Sequence, residues 1–173
     1  PETPVLCAQN GVENERLALR RFRSVIGLAG WIPASFIDPG IVLNYAPQAP
    51  IELGAIPMGA GERVLALARD LCAAGFAAEA RADVLAWKYA KLLTNAVSTL
   101  DAICGGRAGL EDVVQRIKEG GMAAYRAAGI GVVAPAEYEA RVAFAIAAMG
   151  EIDGAPRAGG PGVHSLARGA GSI

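Results

Sequence analysis

The sequence predicts a mixed α/β unit followed by an all-α unit, with the boundary near residue 80. Three observations carry that expectation. Up to about Ala80, apolar runs of four to seven residues alternate with Gly, Pro and Asn turn signals, which is the pattern of strands. From Arg81 onward the apolar period lengthens to 3.6, the period of helices. The composition is 53% hydrophobic but only 6% aromatic, with 36 Ala, so closely approaching helices are favoured over an aromatic-rich core.

The elements follow in order. Val5 to Ala8 reads as a strand, Asn10-Gly11 as a turn, Glu13 to Arg23 as a charged helical segment and Val25 to Trp31 as a second strand. Ser35 to Ile37 and Ile41 to Tyr45 flank the Asp38-Pro39-Gly40 turn, and Ile51 to Ile56 is a further strand. Glu62 to Ala74 places Val64, Leu65, Ala68 and Leu71 on one side of a helix that Gly75 stops. Asp83 caps a long helix running to Cys104, Leu110 to Ala128 forms the next, and Pro135 to Met149 opens with Pro in its first turn. Gly150 to Gly162 reads as a Gly- and Pro-rich loop.

Charge and cysteine usage exclude several function classes. Sixteen basic and 17 acidic residues give a net charge of −1, which offers no footprint for nucleic acid or an anionic membrane surface. Every apolar run is interrupted before the roughly 18 to 20 residues a membrane span requires. Cys7, Cys72 and Cys104 are odd in number and far apart, so a reducing cytoplasm is the expected compartment. The single histidine, His164, leaves no site that needs two His ligands. The chain opens without Met and stops at Gly171-Ser172-Ile173, which reads as an excerpt of a longer protein.

The long helix carries the most informative pattern. Lys88, Lys91, Asn95 and Thr99 recur at spacings of three, four and four, so they share one face. Large apolar residues flank this thin stripe, as they would flank a stripe that lines a cleft. The chain has 13 Arg but only three Lys, and two of the three lie here. An ammonium can exchange its proton and be tuned by burial, whereas a guanidinium stays charged. The competing explanation is that the lysines extend from a partly buried helix and Asn95 bonds a neighbouring one. Gln9-Asn10-Gly11 sits where a ligand-facing strand end would lie in an open sheet, although Asn-Gly is also a common turn. Gly59-Ala60-Gly61-Glu62 lacks a third Gly and reads as a turn with a helix start.

Three stretches together resemble successive motifs of the ketopantoate reductase (2-dehydropantoate 2-reductase) family. They are Cys7-Ala8-Gln9-Asn10-Gly11-Val12-Glu13-Asn14-Glu15, Trp87-Lys88-Tyr89-Ala90-Lys91-Leu92-Leu93-Thr94-Asn95, and Ser165-Leu166-Ala167-Arg168-Gly169-Ala170-Gly171-Ser172-Ile173. Their order and spacing match as a set, over essentially the whole chain. The resemblance implies the C-terminal part of a Rossmann NADP-binding domain over residues 1–80. Residues 81–173 would then be an incomplete helical substrate domain similar to that of 6-phosphogluconate dehydrogenase. It implies NADPH as cofactor, a small 2-keto acid as substrate, and reduction of ketopantoate to pantoate on the route to pantothenate and coenzyme A.

By the same resemblance Lys91 is the catalytic lysine, Asn95 binds substrate, and Asn10 reaches both nicotinamide and substrate. Thr99 aligns with a second substrate asparagine, Ala34 falls near a cofactor contact, and Gly162 stands where the family carries a substrate serine. The Gly-rich phosphate loop of the family would lie before Pro1. The alternatives are a reductase of another 2-keto acid and a truncated, non-catalytic binding or dimerisation module. A homodimer is compatible with each.

Overall fold

The computed structural model describes residues 3–36, 38–105, 107–147 and 149–156. The final motif, Gly162 and His164 lie outside the described residues. Among the described residues eight strands and five helices follow one another, first β1 (Val5–Cys7), α1 (Asn14–Leu19), β2 (Val25–Gly30), β3 (Ala34–Ser35), β4 (Leu43–Asn44), β5 (Pro50–Ala55), α2 (Glu62–Ala73) and β6 (Ala77–Ala80). Then come α3 (Val84–Cys104), α4 (Glu111–Ala127), α5 (Pro135–Ala147), β7 (Glu151–Ile152) and β8 (Ala155–Pro156).

Four strands form the central sheet in the order β1-β2-β5-β6. Strand β1 runs parallel to β2, β2 antiparallel to β5, and β5 parallel to β6. Strands β2 and β5 are buried on both faces, so their sequences are nearly continuous apolar runs. The two-residue side-chain period still sorts them. Ile26, Leu28, Ile51 and Leu53 pack with Val64 and Ala68 of α2 and Ala78 of β6. The alternate positions Gly27, Ala29, Glu52 and Gly54 face α3 and α5, where Ala29 meets Trp87 and Tyr138. Each fully buried Val, Leu or Ile contributes about 1.5–3 kcal/mol by leaving water.

Glycine is required at Gly54. A β-carbon there would lie 2.7 Å from the Arg81 carbonyl oxygen and 2.8 Å from Val84 Cβ. Its register partner Gly27 is almost as crowded, with Val84 Cγ1 at 3.0 Å. The pair forms a hollow that admits the first residue of α3. Asp83 caps that helix as its sequence predicts, its Oδ1 accepting from the Ala86 backbone N–H at 3.1 Å. No helix among the described residues is long and apolar enough to cross a membrane.

Four departures from the sequence expectation have physical causes. The charged helix shrinks to Asn14–Leu19, because the chain must turn through Arg20 to Ser24 to enter β2. The expected strands around the Asp38 turn reduce to the two-residue ribbon of β3 and β4, whose neighbours Ile41 and Val42 stay exposed. Strand β6 departs from the sequence expectation, since its residues Ala77-Ala78-Glu79-Ala80 have weak strand propensity. Parallel pairing with β5 overrides that. The Gly- and Pro-rich stretch after Gly150 holds the hairpin β7–β8, closed by Asp153-Gly154, both with positive φ.

Candidate active site

The site is built where α3 crosses the carboxyl ends of β1 and β2. Lys88 and Lys91 are three residues apart on α3, which separates them by about 4.5 Å along the axis. Neighbouring strands lie about 4.8 Å apart, so consecutive positions on one helix face meet consecutive strands. Lys88 Nζ donates to the Gln9 carbonyl, just past β1, at 3.1 Å. Lys91 Nζ donates to the Gly30 carbonyl at the end of β2. In open α/β sheets this edge is where ligands bind.

The two ammonium groups differ in environment. Lys88 is 3% exposed and forms an ion pair with Glu15 of α1, itself 1% exposed. Lys91 is half-buried, has the Trp31 ring centroid at 5.7 Å, and has no carboxylate partner among the described residues. Burial pulls the Lys91 ammonium from its usual 10.5 down to about 8, and the Lys88 charge pushes in the same direction. An acid with that pKa is able to give up its proton near neutral pH.

Asn10 is half-buried in the turn that follows β1, next to the carbonyl that Lys88 holds. Gly11 has φ +83°, the left-handed conformation that glycine adopts without strain. Ala34 opens the β3–β4 ribbon, four residues beyond Gly30 and just past Trp31. Asn95 and Thr99 lie further along α3 and line a cleft of about 290 Å³ against α4, walled by Leu92, Leu93, Ile117 and Tyr125. Thr99 Oγ1 donates to the Asn95 carbonyl at 3.4 Å.

The structure thus gathers the predicted residues into two adjoining places. Lys91, the Asn10 turn and Ala34 belong to the strand ends, and Asn95 and Thr99 belong to the α3–α4 cleft. The stripe is one face at two depths, because α3 leaves the sheet partway along its 21 residues. Its first member, Lys88, does not line the cleft as the spacing suggested, since the Glu15 carboxylate draws it into the interior.

An aromatic group missed in the sequence supports α3. Trp31 meets Trp87 edge-on at 6.1 Å and Tyr138 at 5.5 Å. Tyr138 Oη donates to Thr94 Oγ1 at 3.0 Å, beside Asn95. Behind them, Glu52 is fully buried and receives Arg81 and Arg141, with Arg141 also donating to the Ala77 carbonyl at 2.8 Å. A glutamate in the middle of the apolar run Ile51 to Ala55 was the available signal, because a carboxylate buried there requires cationic partners.

No protein-family model matches the chain, and no curated protein matches it in sequence. Solved structures do. The 2-dehydropantoate 2-reductase of Methylococcus capsulatus superimposes with a TM-score of 0.78 at 22% identity, covering 97% of this chain and 58% of that one. That of Geobacter metallireducens GS-15 gives 0.72 at 24% identity, covering 98% and 57%. A D-mandelate dehydrogenase in complex with NADH gives 0.73 at 18% identity, covering 95% and 56%. The chain therefore spans less than two thirds of the length of these proteins. The likeness anticipated from the sequence motifs is met at the level of architecture: over that span the chain has the Rossmann-like α/β fold with added helices seen in 2-dehydropantoate 2-reductase structures.

Proposed function

We propose that the chain is the catalytic-lysine portion of a nicotinamide-dependent reductase of 2-keto acids, with ketopantoate as substrate, pantoate as product and NADPH as cofactor. The observation that carries this reading is the Lys91 ammonium, half-buried at the carboxyl end of β2 and titrating at about 8. Asn10 suits the carboxamide end of a nicotinamide, having a donor and an acceptor in one side chain, and Ala34 is the second residue assigned to the cofactor. The Gly59–Gly61 turn does not suit a pyrophosphate, since Glu62 begins the helix that follows. When bound, the reduced cofactor supplies the hydride for the C2 carbonyl.

The chain's own residues do the rest. Lys91 donates its proton to the oxygen of the reduced carbonyl, and before that transfer its charge stabilises the alkoxide, a contribution of several kcal/mol in a dry site. Asn95 orients the keto acid, and the Thr99 hydroxyl adds a second polar contact from the same helix face. In this proposal residues up to about 80 form the cofactor side, and those from 81 onward the substrate side.

A second reading, a bulkier apolar 2-keto acid, is favoured by the Leu92, Leu93, Ile117 and Tyr125 walls around Asn95. Steady-state reduction of ketopantoate, 2-ketoisovalerate and phenylglyoxylate by the intact protein, with NADPH and NADH, separates the two. Preference for ketopantoate with NADPH supports the first reading, preference for phenylglyoxylate supports the second, and no turnover of any of the three rejects both.

A further inference from the structure

The proposed mechanism leaves Lys88 unused. Its ammonium is as buried as any core side chain, yet it makes one contact that core packing does not require, the 3.1 Å bond to the Gln9 carbonyl. Glu15 neutralises it through Oε1, while Oε2 is buried with no hydrogen-bond partner. A buried ion pair is a weak source of stability, because desolvation cancels most of the attraction. Buried polar groups of that kind are better explained when they fix a geometry.

The geometry here is the register between α3 and the sheet. Lys88 ties the helix to the end of β1, one residue before Asn10, and Lys91 ties it to the end of β2. We propose that Lys88, neutralised by Glu15, is the positioning residue of the reductase site, clamping the Asn10 turn to the helix face that carries Lys91 and Asn95. The inference rests on the reading of Lys91 and Asn10 given above. A second effect follows from the same placement, because the Lys88 ammonium, one turn from Lys91 and nearer to it than its Glu15 partner on α1, adds to burial in favouring the neutral form of Lys91. The charged and titratable groups around the pair are Glu15 from α1 and Cys7 from β1. Burial and the Glu15 carboxylate raise the Cys7 thiol, and Lys88 opposes them. Tyr138 of α5 stands beyond Trp31.

The test replaces the pair with apolar residues, because Lys88→Met alone would strand a buried carboxylate. In the intact protein, Lys88→Met/Glu15→Leu is compared with wild type by 13Cε-lysine NMR without cofactor, and by the KM and kcat of the best 2-keto acid substrate. Each lysine resonance is assigned by its loss in a Lys→Arg variant. The expected result is a variant with unchanged circular dichroism in which the Lys91 midpoint rises and KM rises about tenfold while kcat falls less. A Lys91 midpoint or a KM that stays at the wild-type value overturns the proposal. If the double variant does not fold, Glu15→Gln serves instead. Loosening the clamp then raises KM, and an unchanged KM overturns the proposal. Lys91→Ala distinguishes the two readings: full turnover there rejects the reductase mechanism itself, whatever Lys88 does.

Discussion

Gly27 and Gly54 face each other across β2 and β5, and the side chain of Val84 covers both. Replacing Gly54 with Ala pushes a methyl against the Arg81 carbonyl at 2.7 Å and against Val84 Cβ, neither of which has a rotamer to escape through. Gly54→Ala is expected to cost about 2–3 kcal/mol. At Gly27 the crowding comes from the side chains of Val84, Ile56 and Glu15 at 3.0–3.4 Å, so Gly27→Ala should cost less. Urea unfolding of the two variants measures both, and equal costs would show that the hollow relaxes as a unit.

Lys91→Ala is expected to lower kcat by a factor of about 10²–10⁴ with little change in melting temperature, read by cofactor oxidation at 340 nm and by calorimetry. In the proposed mechanism the ammonium is the active form. Above about pH 8 the lysine loses its proton, so kcat/KM for reduction should fall roughly tenfold per pH unit. A profile flat to pH 9.5 would assign the proton to another group.

The same shift has a consequence for stability, of opposite sign. The folded protein releases the Lys91 proton near pH 8 and the unfolded chain near 10.5. Between those values the unfolded state binds more protons, so this group's contribution to stability increases as pH rises through the window. On going from pH 7.5 to 10 the urea midpoint should therefore change in a less favourable direction in Lys91→Met than in wild type. An equal difference in the two proteins would mean that Lys91 titrates alike when folded and unfolded.

Glu52→Ala leaves Arg81 and Arg141 without the buried carboxylate that joins them. Both arginines keep Glu79, and Arg81 also keeps Glu137, so no buried charge is stranded and the cost is about 1.5–3 kcal/mol, the scale of hydrogen bonds to charged groups. The loss should be seen as a lowered denaturation midpoint, and Glu52→Gln should recover part of it. A cost below about 1 kcal/mol, the scale of an exposed pair, would place these charges in solvent.

How much of this was legible in the sequence depended on how local the cause was. Helices α2 and α3 were read almost to the residue, because Gly75 and Asp83 punctuate them locally. The Lys91, Asn95 and Thr99 stripe was equally legible, being a property of one helix. Strand β6 was not, since Ala77 to Ala80 becomes a strand only beside β5. Lys88 was misplaced for the same reason: its environment is set by Glu15, 73 residues away in sequence. The β7–β8 hairpin is a different case, for its Asp153-Gly154 turn signal is local but lies within a Gly- and Pro-rich stretch that reads as a loop.

The anchoring of α5 bears on how a substrate would reach the cleft. Arg141 fastens this helix to Glu52 and to the Ala77 carbonyl, and Tyr138 fastens it to Thr94 of α3. Moving α5 away from the sheet would take Arg141 from the buried Glu52 carboxylate, which is costly. Helix α4 has no fully buried side chain and meets α3 through Gly121 against Leu93 and through Tyr125, which packs on Tyr89 and donates its Oη–H to the Tyr89 carbonyl at 3.2 Å. Among the described residues, the α4 wall of the space around Asn95 and Thr99 is therefore held to α3 by one side-chain hydrogen bond, whereas the α5 side is held by several.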